Sequence, residues 1–398
     1  MMDRRGMMGV ALAGVGAGLG GCAQAGGGLA PPLAWDPRAI APVRAEVDRL
    51  FDITVCSRPF RAAGPRLDTE MVGDKLVVHN YGHGGSGWSL SWGSGEIAVR
   101  QAMAASPREI AVIGCGALGL TSAILAQRAG AKVTIYARDL LPQTRSARAT
   151  GSWTPDSRIA LADQAGSGFG AIWEGMARTS WKTYRSYLGL PGDPVEWIDR
   201  YTVSDTPLTS GRRAEGGEGM LAFGHYENSV RDLNPRRQDM APGTTPFDAP
   251  YVSRNQSLMF NIANLGHTLL ADFLAAGGTL VRREFHAPGD MTSLAEPVII
   301  NCPGFEARQL WRDETVVPVR GQIGWLIPQP EVNYGVWYKD VQVLSRSDGI
   351  VVQAVEGGDM KGYNDASETP DRAEAEAAVL KIKELFGRFR GVPGRARA

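Results

Sequence analysis

Glu109-Ile-Ala-Val-Ile-Gly114-Cys-Gly116-Ala-Leu-Gly119-Leu120, an Ala-rich run to Gly130, and then Ala131-Lys-Val-Thr-Ile-Tyr-Ala-Arg138 decide the fold. The apolar residues 110–113 read as a short buried strand that runs straight into Gly-x-Gly-x-x-Gly. A helix of about three turns is predicted over 117–129, Gly130 is placed to end it, and 132–136 read as a second strand. This is the start of a βαβ unit that holds a dinucleotide. Gly114 allows the tight turn. Gly116 lets the backbone approach a pyrophosphate. Gly119 lets helix and strand pack closely, and the helix N-terminus at Ala117 and Leu118 faces the phosphates. The unit alone does not separate NAD from FAD. An acid about 20 residues past the glycines usually holds the ribose, and here the strand ends Arg138-Asp139, with Asp139 slightly late.

The totals bound what surrounds this unit. The chain has 398 residues, 43% hydrophobic and 21% charged, with 42 basic and 42 acidic side chains. A full α/β core is expected, and with no basic block, nucleic acid is not a partner. Arg4-Arg5 precede an apolar Gly/Ala-rich run over 7–19, too short to span a bilayer. The pattern resembles a twin-arginine export signal. Leu19-Gly-Gly-Cys22 resembles a lipoprotein cleavage box, which would make Cys22 a lipid anchor and place the protein in the periplasm or cell envelope. Such export moves folded proteins, which suits one that takes up its cofactor before crossing. The other cysteines, Cys56, Cys115 and Cys302, are far apart with no CxxC, so neither a disulfide framework nor a zinc site is indicated. The five His show no metal-ligand spacing, and no metal is expected.

The chain divides into a signal (1–22), a Gly/Ala/Pro-rich tether (23–40), a segment 41–108, the dinucleotide-binding part (109–190), a substrate part (191–390) and a tail (391–398). In 41–108 a helix is expected over 43–51, then a strand from Ile53 that breaks at the turn Arg58-Pro-Phe-Arg61. A strand at 76–78 leads into His79-Asn-Tyr-Gly-His83-Gly84-Gly85-Ser86-Gly87-Trp88. A helix follows to about Met103, and its N-terminus aims amides and a partial positive charge at whatever the loop holds. A helix whose start touches a ligand at the C-terminal ends of the strands must run back toward their N-terminal ends. The five residues 104–108 therefore suffice to reach the strand at Ile110. The polar loop 141–153 offers Thr144, Arg145, Ser146 and Gly151 for cofactor contacts. Helices are expected over 173–188 and 262–276, and residues 191–250 read as irregular outer loops. A buried strand spans 297–301, a β-rich stretch runs from 319 through 355, and a helix capped at Thr369-Pro370 runs to about Phe389.

Several of these motifs together resemble one family, the flavin-dependent D-amino acid oxidases. The Gly114–Gly119 loop, Tyr136-Ala137, the 144–153 loop, the strand 298–304 and Arg320-Gly321-Gln322 resemble the family's first two-thirds. Arg58-Pro-Phe-Arg61 is similar to its Arg-Pro-x-Arg turn, and Val78-His-Asn-Tyr-Gly-His-Gly-Gly85 to its C-terminal signature. The resemblance implies an α/β fold, a Rossmann-type FAD-binding domain plus a β-rich substrate domain. It implies FAD as cofactor, an amino acid as substrate and dioxygen or another acceptor for the electrons. Arg58 would bind the substrate α-carboxylate through its planar guanidinium. Gly84, Gly85, Ser86, Gly87 and Trp88 would bring backbone to the flavin, and with the helix behind them stabilise negative charge on it. His79 and His83 would shape the loop, and Cys115 would be inert packing. No protein base is implied: orientation over the flavin suffices for hydride transfer from Cα, and the imino acid hydrolyses to a keto acid and ammonia.

The order of the motifs differs from the family's, in which the Arg-Pro-x-Arg turn and the His-Asn-Tyr-Gly loop come last. Here they precede the Rossmann strand, as in a circular permutation joined through 104–108. The family's Tyr beside the carboxylate is also displaced. One alignment puts Gln342 there, and another uses Tyr334 and Tyr338. The readings left open are an oxidase, a dehydrogenase with another acceptor, and a non-catalytic flavin-binding lipoprotein. The oligomeric state is open as well.

Overall fold

The computed structural model describes residues 40–208 and 220–390. The signal, nearly all of the tether and the C-terminal tail lie outside the described residues. The chain enters with β1 (Leu50–Arg61), the hairpin β2 (Thr69–Val72) and β3 (Lys75–His79), and α1 (Gly87–Met103). Next come β4 (Glu109–Ile113), α2 (Ala117–Arg128), β5 (Lys132–Ala137), α3 (Phe169–Arg185) and β6 (Val195–Ser204). The short β7 (Gln238–Asp239), β8 (Tyr251–Phe260), α4 (Ile262–Ala275), β9 (Thr279–Arg282), β10 (Val298–Asn301) and α5 (Ala307–Leu310) follow. The last are β11 (Val316–Leu326), β12 (Tyr334–Tyr338), β13 (Val341–Arg346), β14 (Gly349–Ala354) and α6 (Arg372–Gly387).

Among the described residues the strands form two sheets. One has the order β2-β3-β10-β4-β5-β9, parallel except for β2. Its central strands are buried on both faces, which is why they read as unbroken apolar runs. Ile110, Val112 and Ile300 look toward α1, α2 and α4, while Ala111, Ile113 and Ile299 pack on Met291, Leu294 and Leu310. The unit β3–α1–β4 is a crossover in this sheet, closed by residues 104–108 as the geometric argument required. α1 carries small residues on its buried faces because it crosses other helices closely. A Cβ on Gly93 would stand 2.3 Å from the Met176 backbone of α3, and Ser91 shares a 2.8 Å hydrogen bond with the Tyr184 hydroxyl.

The second sheet has the order β1-β11-β14-β13-β12-β6-β8-β7. α6 covers one face, burying Val379, Ile382 and Leu385 against Tyr334, Val336, Tyr338, Val341 and Val343. The opposite face carries Ile198, Met259, Ile323, Trp325, Leu344 and Val351 and is the face that Ser152 and the residues before it touch. Residues 50–79 thus place β1 in one sheet and β2–β3 in the other.

Four sequence expectations are corrected. Residues 43–51 hold only a single turn of helix, Val47–Arg49, before β1 begins. β1 does not break at Pro59 but continues to Arg61. Proline is tolerated because β1 is an edge strand and needs no second ladder partner for that nitrogen. Residues 191–250 include the ten-residue β6, paired along its whole length with β8. The cap of α6 is Asp371, whose carboxylate accepts the Glu374 N–H, and not Thr369-Pro370.

Candidate active site

The nucleotide cleft forms where β4 stops. Gly114 has φ +98°, and a Cβ there would strike the Cys302 carbonyl at 2.4 Å. A Cβ on Gly119 would lie 2.0 Å from the Gly114 carbonyl, so α2 seats directly on the loop. A Cβ on Gly116 would come 2.7 Å from Ser146 Oγ, the oxygen that accepts the Ala117 N–H at 3.1 Å. The cleft is lined by Gly114 and Gly116 with Ala117, Leu118, Arg138, Asp139, Thr144, Arg145 and Ser146, and closed by Glu284, Phe285 and Glu306. Thr144 Oγ1 is buried without a partner in it. An extended anionic dinucleotide fits this set: a glycine floor, a helix N-terminus whose N-cap, Gly116, brings no side chain, and a hydroxyl left to be satisfied.

Two arginines of the cleft are balanced by carboxylates around them. Arg138 donates to Asp139 at 2.8 Å, to Glu284 at 3.2 Å and to Glu306 at 3.3 Å. Arg145 is hydrogen-bonded to Glu306 and donates to Glu368 at 2.9 Å. Asp139 therefore reaches the cleft wall already tied to its neighbour. Gly151 is not in the cleft. Its φ is +92°, and a Cβ would meet the Phe260 carbonyl at 2.4 Å, so it serves a close approach to β8.

The second loop is joined to the first by Trp88, whose indole N–H donates to the Ser146 carbonyl at 2.9 Å. Gly84 has φ +56° and makes room for the Arg158 carbonyl, 1.9 Å from where a Cβ would stand. The Gly85 amide and the Ser86 hydroxyl both donate to the Ser157 carbonyl, at 2.9 and 3.2 Å. The expectation that the Gly84 and Gly85 amides are aimed at the cofactor is thereby corrected for Gly85, whose N–H is spent on the neighbouring loop. Gly87 has nothing within 4 Å of its open side and begins α1. His83 is buried with neither ring nitrogen partnered, and burial pushes its pKa down to about 3, so it is neutral. His79 is held between Glu70 and Asn301, at 3.1 Å on each side. Cys115 is buried core.

Arg58 lies where β1 meets this loop, two residues before the bridge between Phe60 and His83. Its guanidinium leans over β11. A Cβ on Gly321 would be 2.2 Å from Nη2, so the glycine of Arg320-Gly321-Gln322 exists to admit it. Its one hydrogen bond is to the Arg320 carbonyl at 3.3 Å, and among the described residues no carboxylate pairs with it. Burial lowers its pKa. A cation partly withdrawn from water without a counter-charge is costly unless an anion completes it, and a planar carboxylate is the shape it fits.

Side-chain alternation sorts the alternatives on the sheet. Gln342 faces the Ile323–Trp325 side, is 8% exposed and donates to Ser152 Oγ at 2.7 Å. Tyr338 and Tyr334 face α6. Tyr338 is completely buried there, its hydroxyl bound to Asp205 at 3.0 Å, to Glu384 at 3.1 Å and to Arg388. Tyr338 is therefore a structural residue and not a catalytic one. The Tyr spacing was the misleading signal, because 334 and 338 share the wrong face. Sequence reasoning missed Arg200 on β6 and the acids Glu284 and Glu306. Alternation through Arg200-Tyr-Thr-Val203 was the available sign that 195–204 is a strand with two faces.

The sequence profile of the family described as FAD dependent oxidoreductase matches residues 109–397. A D-amino-acid oxidase of Rubrobacter xylanophilus is 28% identical over 293 residues, 70% of this chain and 78% of that protein. A D-amino-acid oxidase of Streptomyces coelicolor is 28% identical over 219 residues, 54% of this chain and 58% of that protein. Among solved structures, L-amino acid deaminase from Proteus vulgaris superposes with a TM-score of 0.46 at 11% identity, covering 71% of this chain and 80% of that one. The profile begins at Glu109, the first residue of the strand that runs into Gly114, Gly116 and Gly119, and takes in the nucleotide cleft and every strand of the neighbouring sheet except β1; the chain belongs to the FAD-dependent oxidoreductase family.

Proposed function

We propose that the protein oxidises an amino acid of D configuration at Cα, releasing the keto acid and ammonia after hydrolysis of the imino acid, and that dioxygen is reduced to peroxide. The observation that carries this reading is Arg58: a partly buried guanidinium with no carboxylate partner among the described residues, seated over Gly321 at the edge of the loop that starts α1. The names of the two bacterial relatives support the D configuration. Bound FAD would supply the two-electron acceptor. Gly114, Gly116 and Gly119 would hold its pyrophosphate, with Thr144 and Ser146 beside it. Arg58 would grip the α-carboxylate in a bidentate pair and so fix which hydrogen of Cα points at the acceptor. Gln342 and Ser152 would wall the site on the far side. The substrate enters as the neutral amine, its ammonium proton already given up to bulk water. His83, neutral and enclosed, takes no part in that transfer.

The reading extends to how the chain is assembled and where it works. We read it as a circularly permuted member of its family, supported by the profile's start at Glu109 and by the short link from α1 to β4. Arg4-Arg5 and Leu19–Cys22 support export by the twin-arginine route in folded form, with a lipid on Cys22. The catalytic test is to incubate the flavin-loaded protein in air with single D-amino acids and measure ammonia and peroxide. One of each per turnover supports the reading. Ammonia without peroxide points to another acceptor, and absence of both with every D-amino acid overturns it.

A further inference from the structure

Gln342 and Gln353 stand directly opposite each other on β13 and β14, so their side chains leave the sheet on the same side. That side is the Arg58 face: Val351, two residues before Gln353 on β14, belongs there to the cluster of Ile323 and Trp325. The two amides are used differently. Gln342 donates to Ser152 Oγ at 2.7 Å. Gln353 is only 9% exposed, yet its amide has no hydrogen bond to any described residue. The tip of that amide is not sealed in, so a ligand can reach it. An amide largely withdrawn from water with neither end paired is costly until something pairs it.

The register gives its place relative to Arg58. The guanidinium carbon of Arg58 lies 2.4 Å from where a Gly321 Cβ would stand, so the cation occupies the side-chain position of Gly321. β11 pairs with β14 at Gly324 opposite Val352. The next step of that ladder sets Ile323 opposite Gln353, and Gly321 lies two residues on. Two residues along a strand and one strand across put the Cα atoms of Gly321 and Gln353 about 8 Å apart. Gln342 is one strand further away, and Trp337, its partner on β12, is two. Among the polar side chains that β11, β14 and β13 turn to this face, Gln353 is thus the one nearest to the cation.

We infer that Gln353 reads the side chain of the substrate, and that the preferred side chain is short, neutral and ends in a carboxamide. This rests on the reading of Arg58 as the α-carboxylate holder. With the α-carboxylate at the Gly321 position, the substrate side chain extends over Ile323 to β14. A carboxamide gives the Gln353 oxygen a donor and its amide hydrogens an acceptor, two bonds at once. A hydrocarbon of the same shape leaves the Gln353 amide unpaired. A carboxylate accepts but cannot donate, and sets its charge against the Gln353 oxygen.

The test is kcat/KM for D-asparagine, D-leucine and D-aspartate, three side chains of nearly one shape, measured on the flavin-loaded full chain. The wild type is expected to favour D-asparagine over each of the others by at least about 10-fold. Q353M keeps the length of the side chain and removes the amide. It is expected to lower the value for D-asparagine by about 10- to 100-fold and to leave D-leucine within about threefold. A wild type that prefers D-leucine or D-aspartate overturns the proposal. That result needs no variant, so a misfolded Q353M does not spare the idea. A Q353M that slows all three substrates alike also overturns it, because the amide then serves the flavin or the fold. Either failure, with some D-amino acid still turned over, leaves the reading of Arg58 standing. Flavin reduced by no amino acid sinks both.

Discussion

Arg138 and Arg145 in the nucleotide cleft and Arg58 on the neighbouring sheet are partnered in opposite ways. In the cleft, Arg138 and Arg145 are saturated by Asp139, Glu284, Glu306 and Glu368, all within hydrogen-bonding distance. On the sheet, Arg346 is likewise paired with Asp348, whereas Arg58 and Arg200 have no carboxylate partner among the described residues. Internally paired charges hold the protein's own loops together: Glu368, on the segment before α6, ties that segment to the 145–148 turn. Unpaired ones are a standing cost that folding alone does not repay, and an anionic ligand is what offsets it. The contrast therefore separates framework from recognition without reference to sequence similarity.

The comparison can be broken or sharpened in order of effect. The largest effect belongs to the cleft's backbone. G119A puts a methyl 2.0 Å from the Gly114 carbonyl. No rotamer relieves that, so the purified variant is expected to carry no flavin, read from the loss of visible absorbance. Next is R58A, which removes one partner of a buried charge pair. That costs about 2–5 kcal/mol, or roughly 30- to 5,000-fold in kcat/KM, with flavin content unchanged. A loss of flavin and no change in the activity remaining per flavin would erase the distinction between the two regions.

The third prediction concerns pH. Burial acts to raise the pKa of Glu368, but hydrogen bonding and attraction from Arg145, then attraction from Arg148, outweigh it and hold the carboxyl below its ordinary value. A depressed carboxylate stabilises the fold above its unfolded pKa, and that contribution is lost as pH falls through the lower folded value. E368Q is therefore expected to melt a few degrees below wild type at neutral pH, and the gap should close in acid below the usual carboxylate range. A gap independent of pH would show that Glu368 is not acting as a charge. The smallest effect is expected for Y338F. Losing a hydroxyl in a buried network costs about 1 kcal/mol of stability, while kcat/KM should stay within about twofold. A much larger loss of kcat/KM would return Tyr338 to the substrate face.

The two regions also differ in how well the sequence displays them. The cleft is local. A strand, three glycines, a helix and a second strand follow one another within thirty residues, so periodicity and turn chemistry specify them together. The helix over Gly87–Met103 and its short link to β4 were legible for the same reason. The substrate face is assembled from β1, β11, β14, β13, β12 and β6, which are far apart in the chain. There the sequence gives candidate side chains but not their direction. Tyr338 and Gln342 are four residues apart and look to opposite sides, because a turn between β12 and β13 changes the count. β6 was lost in a stretch rich in Gly, Pro and charge, and Arg200 with it. The internal pairing of Arg138 and Arg145 depends on Glu284, Glu306 and Glu368, more than 130 residues away, which no local pattern announces.

The central claim is that Arg58 presents an amino acid to a flavin held by Gly114–Gly119. It is tested most directly by titrating the flavin-loaded protein with D-amino acids in the absence of oxygen, with L-isomers as controls, while following the visible absorbance. The account predicts that the flavin bands bleach with D-isomers, persist with L-isomers, and bleach far more slowly in R58A. Flavin that is bound yet never bleached by any amino acid would contradict it.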